Sequence, residues 1–106
     1  MTVSLQEAQR IIDAGVAKAQ DMGVRMAVAV VDANANLVAV ARMDGMYAFG
    51  PDIAKGKAMA AAVWRQSTAD LQERSKTSSV FQPVNHLYGG QLVYGRGACF
   101  SYGGAR

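Results

Sequence analysis

From Leu5 to Met22 the apolar residues recur with helical spacing. Leu5, Ala8, Ile11, Ile12, Ala19 and Met22 fall along one face, while Gln6, Gln9, Arg10, Asp13 and Lys18 lie away from it. Ser4 followed by Glu7 has the spacing of a capping box, and Gly23 is a natural stop, so the pattern predicts one helix between them. The rhythm then changes. "RMAVAVVDANANLVAVARMDG" holds two short valine-rich runs on either side of the polar turn Asp32 to Asn36, and this predicts a β-hairpin. Each run is apolar on both faces, so the hairpin is expected to be covered on both sides, by helices or by another subunit.

Helical spacing returns in "DIAKGKAMAAAVWRQSTADLQERSK", with Pro51 placed as a first-turn residue. Ile53, Ala54, Met59, Ala60, Val63 and Trp64 can share a stripe, and the Ser67–Thr68 pair predicts a break and a new cap before Ala69 to Arg74. "KTSSVFQPVNHLYGG", from Lys76 to Gly90, is polar and turn-rich and predicts a loop. Beyond it, "QLVYG" and "ACFSY" read as short strands separated by Arg96 and Gly97. The chain contains no internal repeat and no low-complexity linker.

Composition bounds this picture. A chain of 106 residues, 51% apolar and 18% charged, fits one globular domain with one core. No apolar run approaches the roughly 20 residues that cross a bilayer, and "MTVSLQEAQR" lacks a signal-peptide layout, so a cytoplasmic, membrane-free protein is expected. Cys99 is the only cysteine, which excludes an internal disulfide and a cysteine-built zinc cage. The net charge of +3 comes from the tail: Arg74, Lys76, Arg96 and Arg106 face no acid after Arg74. Without a basic helix or a recognition motif this is a soluble face or a mild attraction for an anion, and no nucleic-acid partner is expected.

The order helix, hairpin, helix pair, loop and further strands resembles the GlcG/HbpS proteins, which are related to the C-terminal domain of PduO-type proteins. The resemblance rests on "LQEAQRIIDAGVAKAQDMGVRMAVAVVDANANLVAVARMDG", on "DIAKGKAMAAA", and on the loop ending in "LYGGQL" with a later "YGG". It covers nearly the whole chain, and the combination is more specific than any piece. It implies an α/β (α+β) fold, a mostly antiparallel sheet flanked by helices, assembled into dimers or larger homo-oligomers. It also implies haem as a cofactor in several members, with a role in haem or iron handling, while others accompany catabolic operons. Family members usually continue past the Gly-Gly segment with a proline-containing strand, a second hairpin, a Gly-rich turn and a final helix, whereas this chain stops at "YGGAR". Residues 1–106 are therefore expected to be a single domain of this type, truncated at its C-terminus relative to the family. A partner subunit, or "QLVYG" and "ACFSY", would then replace the lost strands, unless the chain is a fragment.

Two sets of residues emerge as candidates. Arg42 and Asp44 match the family's Arg-Met-Asp segment, and Asp52 and Lys57 match its Asp-Ile-Ala-x-x-Lys segment. Arg42 and Asp44 share a strand face and can pair with Lys57 and Asp52 across the junction, either as a structural charge network or as a pocket for a small carboxylate. The second set is His86, the chain's single histidine, with Tyr88 beside it. An imidazole can ligate haem iron or move protons near neutral pH, although the attachment motif C-x-x-C-H is absent. Tyr94, Tyr102 and Cys99 are further possible ligands. Tyr88 and Tyr94 could stack on a porphyrin, and Arg74, Lys76 and Arg96 could meet its propionates. Met22, Met26, Met43, Met46 and Met59 are expected in the core.

No nucleophile elbow, H-E-x-x-H, P-loop or G-x-G-x-x-G is present, which favours a binding protein, and the resemblance implies haem as its ligand. Two alternatives stay open. One is an enzyme acting on a small organic acid or aromatic catabolite, with Arg42 or Lys57 holding the carboxylate and His86 or Asp44 moving protons. The other is a structural oligomerisation subunit.

Overall fold

The computed structural model describes residues 3–95. Its elements are α1 (Leu5–Met22), β1 (Ala27–Val31), β2 (Leu37–Arg42), α2 (Gly50–Trp64), α3 (Thr68–Ser75) and α4 (Phe81–Leu87).

Helix α1 begins and ends as its sequence predicts. The Ser4 hydroxyl accepts from the Glu7 N–H at 3.0 Å, and the Glu7 carboxylate accepts from the Ser4 N–H at 2.9 Å. Gly23, at φ 71°, closes the helix: its N–H donates to the Gln20 carbonyl at 3.1 Å, and the Val24 N–H donates to the Ala19 carbonyl at 3.0 Å. The buried stripe is narrower than the spacing suggests: Ala8, Ile12 and Ala19 are inside, but Leu5 and Met22 stay exposed. Met22 thus does not join the core, whereas Met59 does.

The hairpin pairs β1 with β2 antiparallel, from Ala27 opposite Arg42 to Val31 opposite Leu37, with an irregularity between Val30 and Val31. Its turn is organised by one side chain. Asp32 Oδ1 accepts from the N–H groups of Asn34 and Asn36, each at 2.9 Å, while the Asp32 N–H donates to the Asn36 carbonyl. These bonds, that from Asn36 foremost, hold the Asp32 carboxyl below its ordinary pKa, with a smaller opposing push from burial. Ala35 is forced into the left-handed region at φ 66° and is buried there.

Because successive strand residues face opposite ways, Val28 and Val30 with Ala39 and Ala41 meet α1, forming a cluster with Val3, Ala8 and Ile12. The other face of β1 meets α2: Gly50 lies against the Ala27 Cβ, and Val31 packs on a second cluster of Ala35, Met59, Ala60, Leu71, Phe81 and Leu92. Helices therefore cover both faces, as the two-sided apolar runs require, although Leu37 and Val40 on β2 remain 45% and 40% exposed.

Helix α2 carries Pro51 in its first turn and ends where Arg65 takes a left-handed φ of 56°. Ser67 then caps α3, its hydroxyl accepting from the Asp70 N–H at 3.2 Å, which is the predicted break and recapping.

Two expectations need correction. The stretch from Lys76 to Gly90 is not all loop, because Phe81–Leu87 forms α4. Its Pro83 falls in the first turn, where a missing N–H costs little, and Phe81 and Val84, three apart, pack against the second core cluster. Nor is "QLVYG" a strand. Residues 91–95 run as irregular chain across α2, with the Val93 N–H donating to the Gly56 carbonyl at 3.2 Å and Leu92 buried. "ACFSY", with Arg96, Cys99 and Tyr102, lies outside the described residues.

Candidate functional site

The β2–α2 junction holds the first set of candidates. Arg42 ends β2, and the chain turns back at once, with the Met46 N–H donating to the Met43 carbonyl at 3.1 Å. That turn brings the Met46 carbonyl under the guanidinium, and Arg42 Nη1 donates to it at 2.7 Å. The Arg42 guanidinium is therefore engaged with backbone at this junction. Asp44 is exposed rather than partly buried, and so is Asp52 in the first turn of α2. Lys57 follows Asp52 by five residues, a spacing that puts the two on different sides of a helix. It lies half-buried along α2 close to Gly95. An ion pair that does form among the described residues is Lys76–Glu73 on the exposed side of α3 and its cap, at 3.1 Å.

The second set gathers at the end of α4. His86 is exposed in the last turn, and Tyr88 caps the helix, its N–H donating to the Asn85 carbonyl at 3.0 Å while the Gly89 N–H donates to the His86 carbonyl at 3.2 Å. On this helix Val80, Pro83 and Leu87, spaced by three and four, form an exposed apolar stripe, with Leu87 80% exposed. His86 lies between this stripe and Gln82. The structure thus splits the candidates in two: Arg42, Asp44 and Asp52 at one end of the hairpin with Lys57 farther along α2, and His86 with Tyr88 on α4.

Sequence reasoning missed the cluster under α4. The Trp64 and Phe81 rings stack at 4.3 Å and 9°, Tyr94 meets Phe81 edge-on at 5.0 Å, and Trp64 Nε1 donates to the Tyr94 hydroxyl at 3.3 Å. The Arg74 guanidinium sits 5.4 Å from both the Trp64 and the Phe81 ring centres and donates to Gln66 Oε1 at 2.9 Å. Tyr94 and Arg74 are accordingly parts of the core edge, while Lys76 lies on the exposed surface beside Glu73. The available signal was Phe81 with Val84, an apolar pair at helical spacing inside a polar stretch. Beside this cluster opens a cleft of about 400 Å³ lined by Ser75, Ser78, Ser79, Phe81, Gln82, Asn85 and Tyr94.

The donor set decides what kind of cofactor fits. Among the described residues no three His, Cys, Asp or Glu side chains gather into a metal cage, so a bare ion has no ready site. A macrocycle asks for less: one axial donor beside an open apolar face. His86 next to Val80, Pro83 and Leu87 meets that requirement. No helix among the described residues is long and apolar enough to cross a membrane.

Comparison with known proteins adds to this geometry. A family described as haem degrading protein HbpS-like matches residues 3–105. A curated relative from Citrobacter freundii, described as an uncharacterized 15.0 kDa protein in the dhaT-dhaS intergenic region, is 33% identical over 92 residues. That match takes in 87% of this chain and 61% of the relative. A crystal structure of a double mutant of Streptomyces reticuli HbpS matches with a TM-score of 0.72 and 28% identity, over 89% of this chain and 61% of that one. A further crystal structure of HbpS matches equally well, at 0.72 and 26%, over 89% and 63%. The chain thus spans a little over three fifths of the length of the relatives it matches.

Proposed function

The chain belongs to the HbpS-like family of haem degrading proteins, and from that premise we propose that it binds haem through His86 on α4 and serves in haem or iron handling. The observation that carries the reading is the exposed imidazole at the edge of the Val80, Pro83 and Leu87 stripe. In this reading the apolar stripe shields one face of the macrocycle from water, His86 offers a ring nitrogen to the iron, and Tyr88 flanks it from the helix cap. Haem, when bound, supplies the redox chemistry of its iron.

The proposal extends to assembly and place. The apolar side chains left open on β2, and strand edges without a partner among the described residues, support a homo-oligomer, dimer or larger. A single cysteine is in keeping with a cytoplasmic setting. A small-carboxylate site at Arg42, Asp44, Asp52 and Lys57 has less support, because the Arg42 guanidinium already serves the Met46 carbonyl.

The test is a hemin titration followed in the visible spectrum. A Soret shift saturating at one haem per subunit or per dimer is expected, with weaker binding and a displaced Soret band in His86→Ala and no change in Cys99→Ser. Hemin bound by His86→Ala with unaltered affinity and spectrum would remove His86 as the ligand. Absence of any shift in the unmodified protein would remove the haem reading itself.

A further inference from the structure

The cleft between α3 and α4 stands apart from the haem-binding reading, and its lining has a distinct chemistry. Of its seven lining residues six carry a hydroxyl or an amide, the seventh is Phe81, and none is charged. Neither Arg74, which bonds Gln66 and lies over the Trp64 and Phe81 rings, nor Lys76, which pairs with Glu73, lines it. An anion would find no cationic partner on these walls.

Several of these polar groups are held in place by one bond that leaves another capacity open. Asn85 Oδ1 accepts from the Leu92 N–H at 2.8 Å, which fixes the amide and leaves its NH₂ group to donate. The Tyr94 oxygen accepts from Trp64 Nε1 at 3.3 Å, which leaves its O–H to donate. The Ser78 hydroxyl accepts from the Val80 N–H at 3.4 Å and keeps its proton, while the Ser75 hydroxyl donates to the Gln72 carbonyl at 2.9 Å and keeps lone pairs. Ser79 and Gln82 are exposed and have no side-chain hydrogen bond among the described residues. The walls therefore alternate oriented donors and acceptors at short spacing beside an aromatic ring. Ligands that match such walls carry several hydroxyls, each both donor and acceptor, on an uncharged carbon frame.

We propose that this cleft binds a neutral polyhydroxylated small molecule of the polyol or sugar class. Its volume of about 400 Å³ is within the range of small-ligand sites. Trp64, the only tryptophan of the chain, bonds the Tyr94 hydroxyl and so reports on the cleft through its fluorescence.

The experiment titrates the full chain with glycerol, with glucose and with lactate, following Trp64 emission. A saturable change with glycerol or glucose, and none with lactate, is expected. The Ser79→Ala, Gln82→Ala double variant removes two open partners without touching a bond that holds the fold, and should weaken that binding roughly 5- to 30-fold. His86→Ala should leave it intact, which separates this site from the haem reading whichever way the hemin titration falls. A change that rises linearly with both neutral probes, a tighter response to lactate, or wild-type affinity in the double variant would each overturn the proposal.

Discussion

Asp32 shows how much one side chain does in this fold. Its carboxylate receives the N–H groups of Asn34 and Asn36 at 2.9 Å each, and with Ala35 held at φ 66° it determines where the hairpin turns. Those bonds favour the ionised form, so the group ionises at lower pH in the folded chain than in the unfolded one. The stabilisation is therefore complete above the ordinary carboxylate range, near pH 4, and is lost as the pH falls through the lower folded value. Melting curves of the wild type and Asp32→Asn should differ by a constant amount from pH 7 to about 5, and the gap should narrow below about pH 4. A gap that stays constant to pH 2 would mean that the turn does not depend on the charge. At the same scale, a network of Arg42 and Asp44 with Lys57 and Asp52 was one reading of opposite charges gathered at the junction. What redirected Arg42 was a nearby carbonyl, that of Met46, which no pattern of side chains reveals.

At the scale of elements, the parts that were legible have local signals. The capping box at Ser4 and Glu7, the Gly23 stop, the Asp32 to Asn36 turn and the Ser67 cap each satisfy backbone groups within a few residues, and each stands where the sequence places it. Helix α4 lacked such a signal: Val80 precedes it with no side-chain cap, and Pro83 and the surrounding serines speak for a loop. It is helical because Phe81 gains a stacked partner in Trp64, a contact between positions 17 residues apart. For the same reason the surroundings of His86 and Tyr88 were hidden, since a helix places His86 beside an apolar stripe that a loop would not form. The segment 91–95 likewise reads as a strand from its own residues but follows the surface of α2. There Gly56 is decisive, because a Cβ at that position would collide with the Gln91 carbonyl oxygen and with Val93 Cγ2 at 2.6 Å. Gly56→Ala would gain about 1 kcal/mol of helix propensity in an isolated helix. Here the backbone of a neighbouring segment would have to move, and a net loss of about 1–3 kcal/mol is expected, read as a lower denaturation midpoint. An unchanged or raised midpoint would show that residues 91–93 do not rest on α2.

For the molecule as a whole, the decisive feature among the described residues is a sheet of two strands. Such a pair is marginal in water by itself, and α1 and α2 stabilise it by covering its two faces. The cover is uneven, because β1 lies against α2 while Leu37 and Val40 of β2 stay 45% and 40% exposed, and the outer edges of both strands lack partners among the described residues. An apolar strand with an unpaired edge is a template for association with another chain. A second copy is one occupant of the right shape, since a two-fold axis beside β2 would pair like with like. The protein should therefore sediment or scatter at micromolar concentration as a multiple of one chain. Val40→Lys, which sets a charge on the open part of β2 without disturbing either core cluster, should shift the mass toward a single chain and leave the helical signal in circular dichroism unchanged. A wild-type mass of one chain would end the oligomer proposal. A Val40→Lys mass equal to that of the oligomeric wild type would move the interface away from β2.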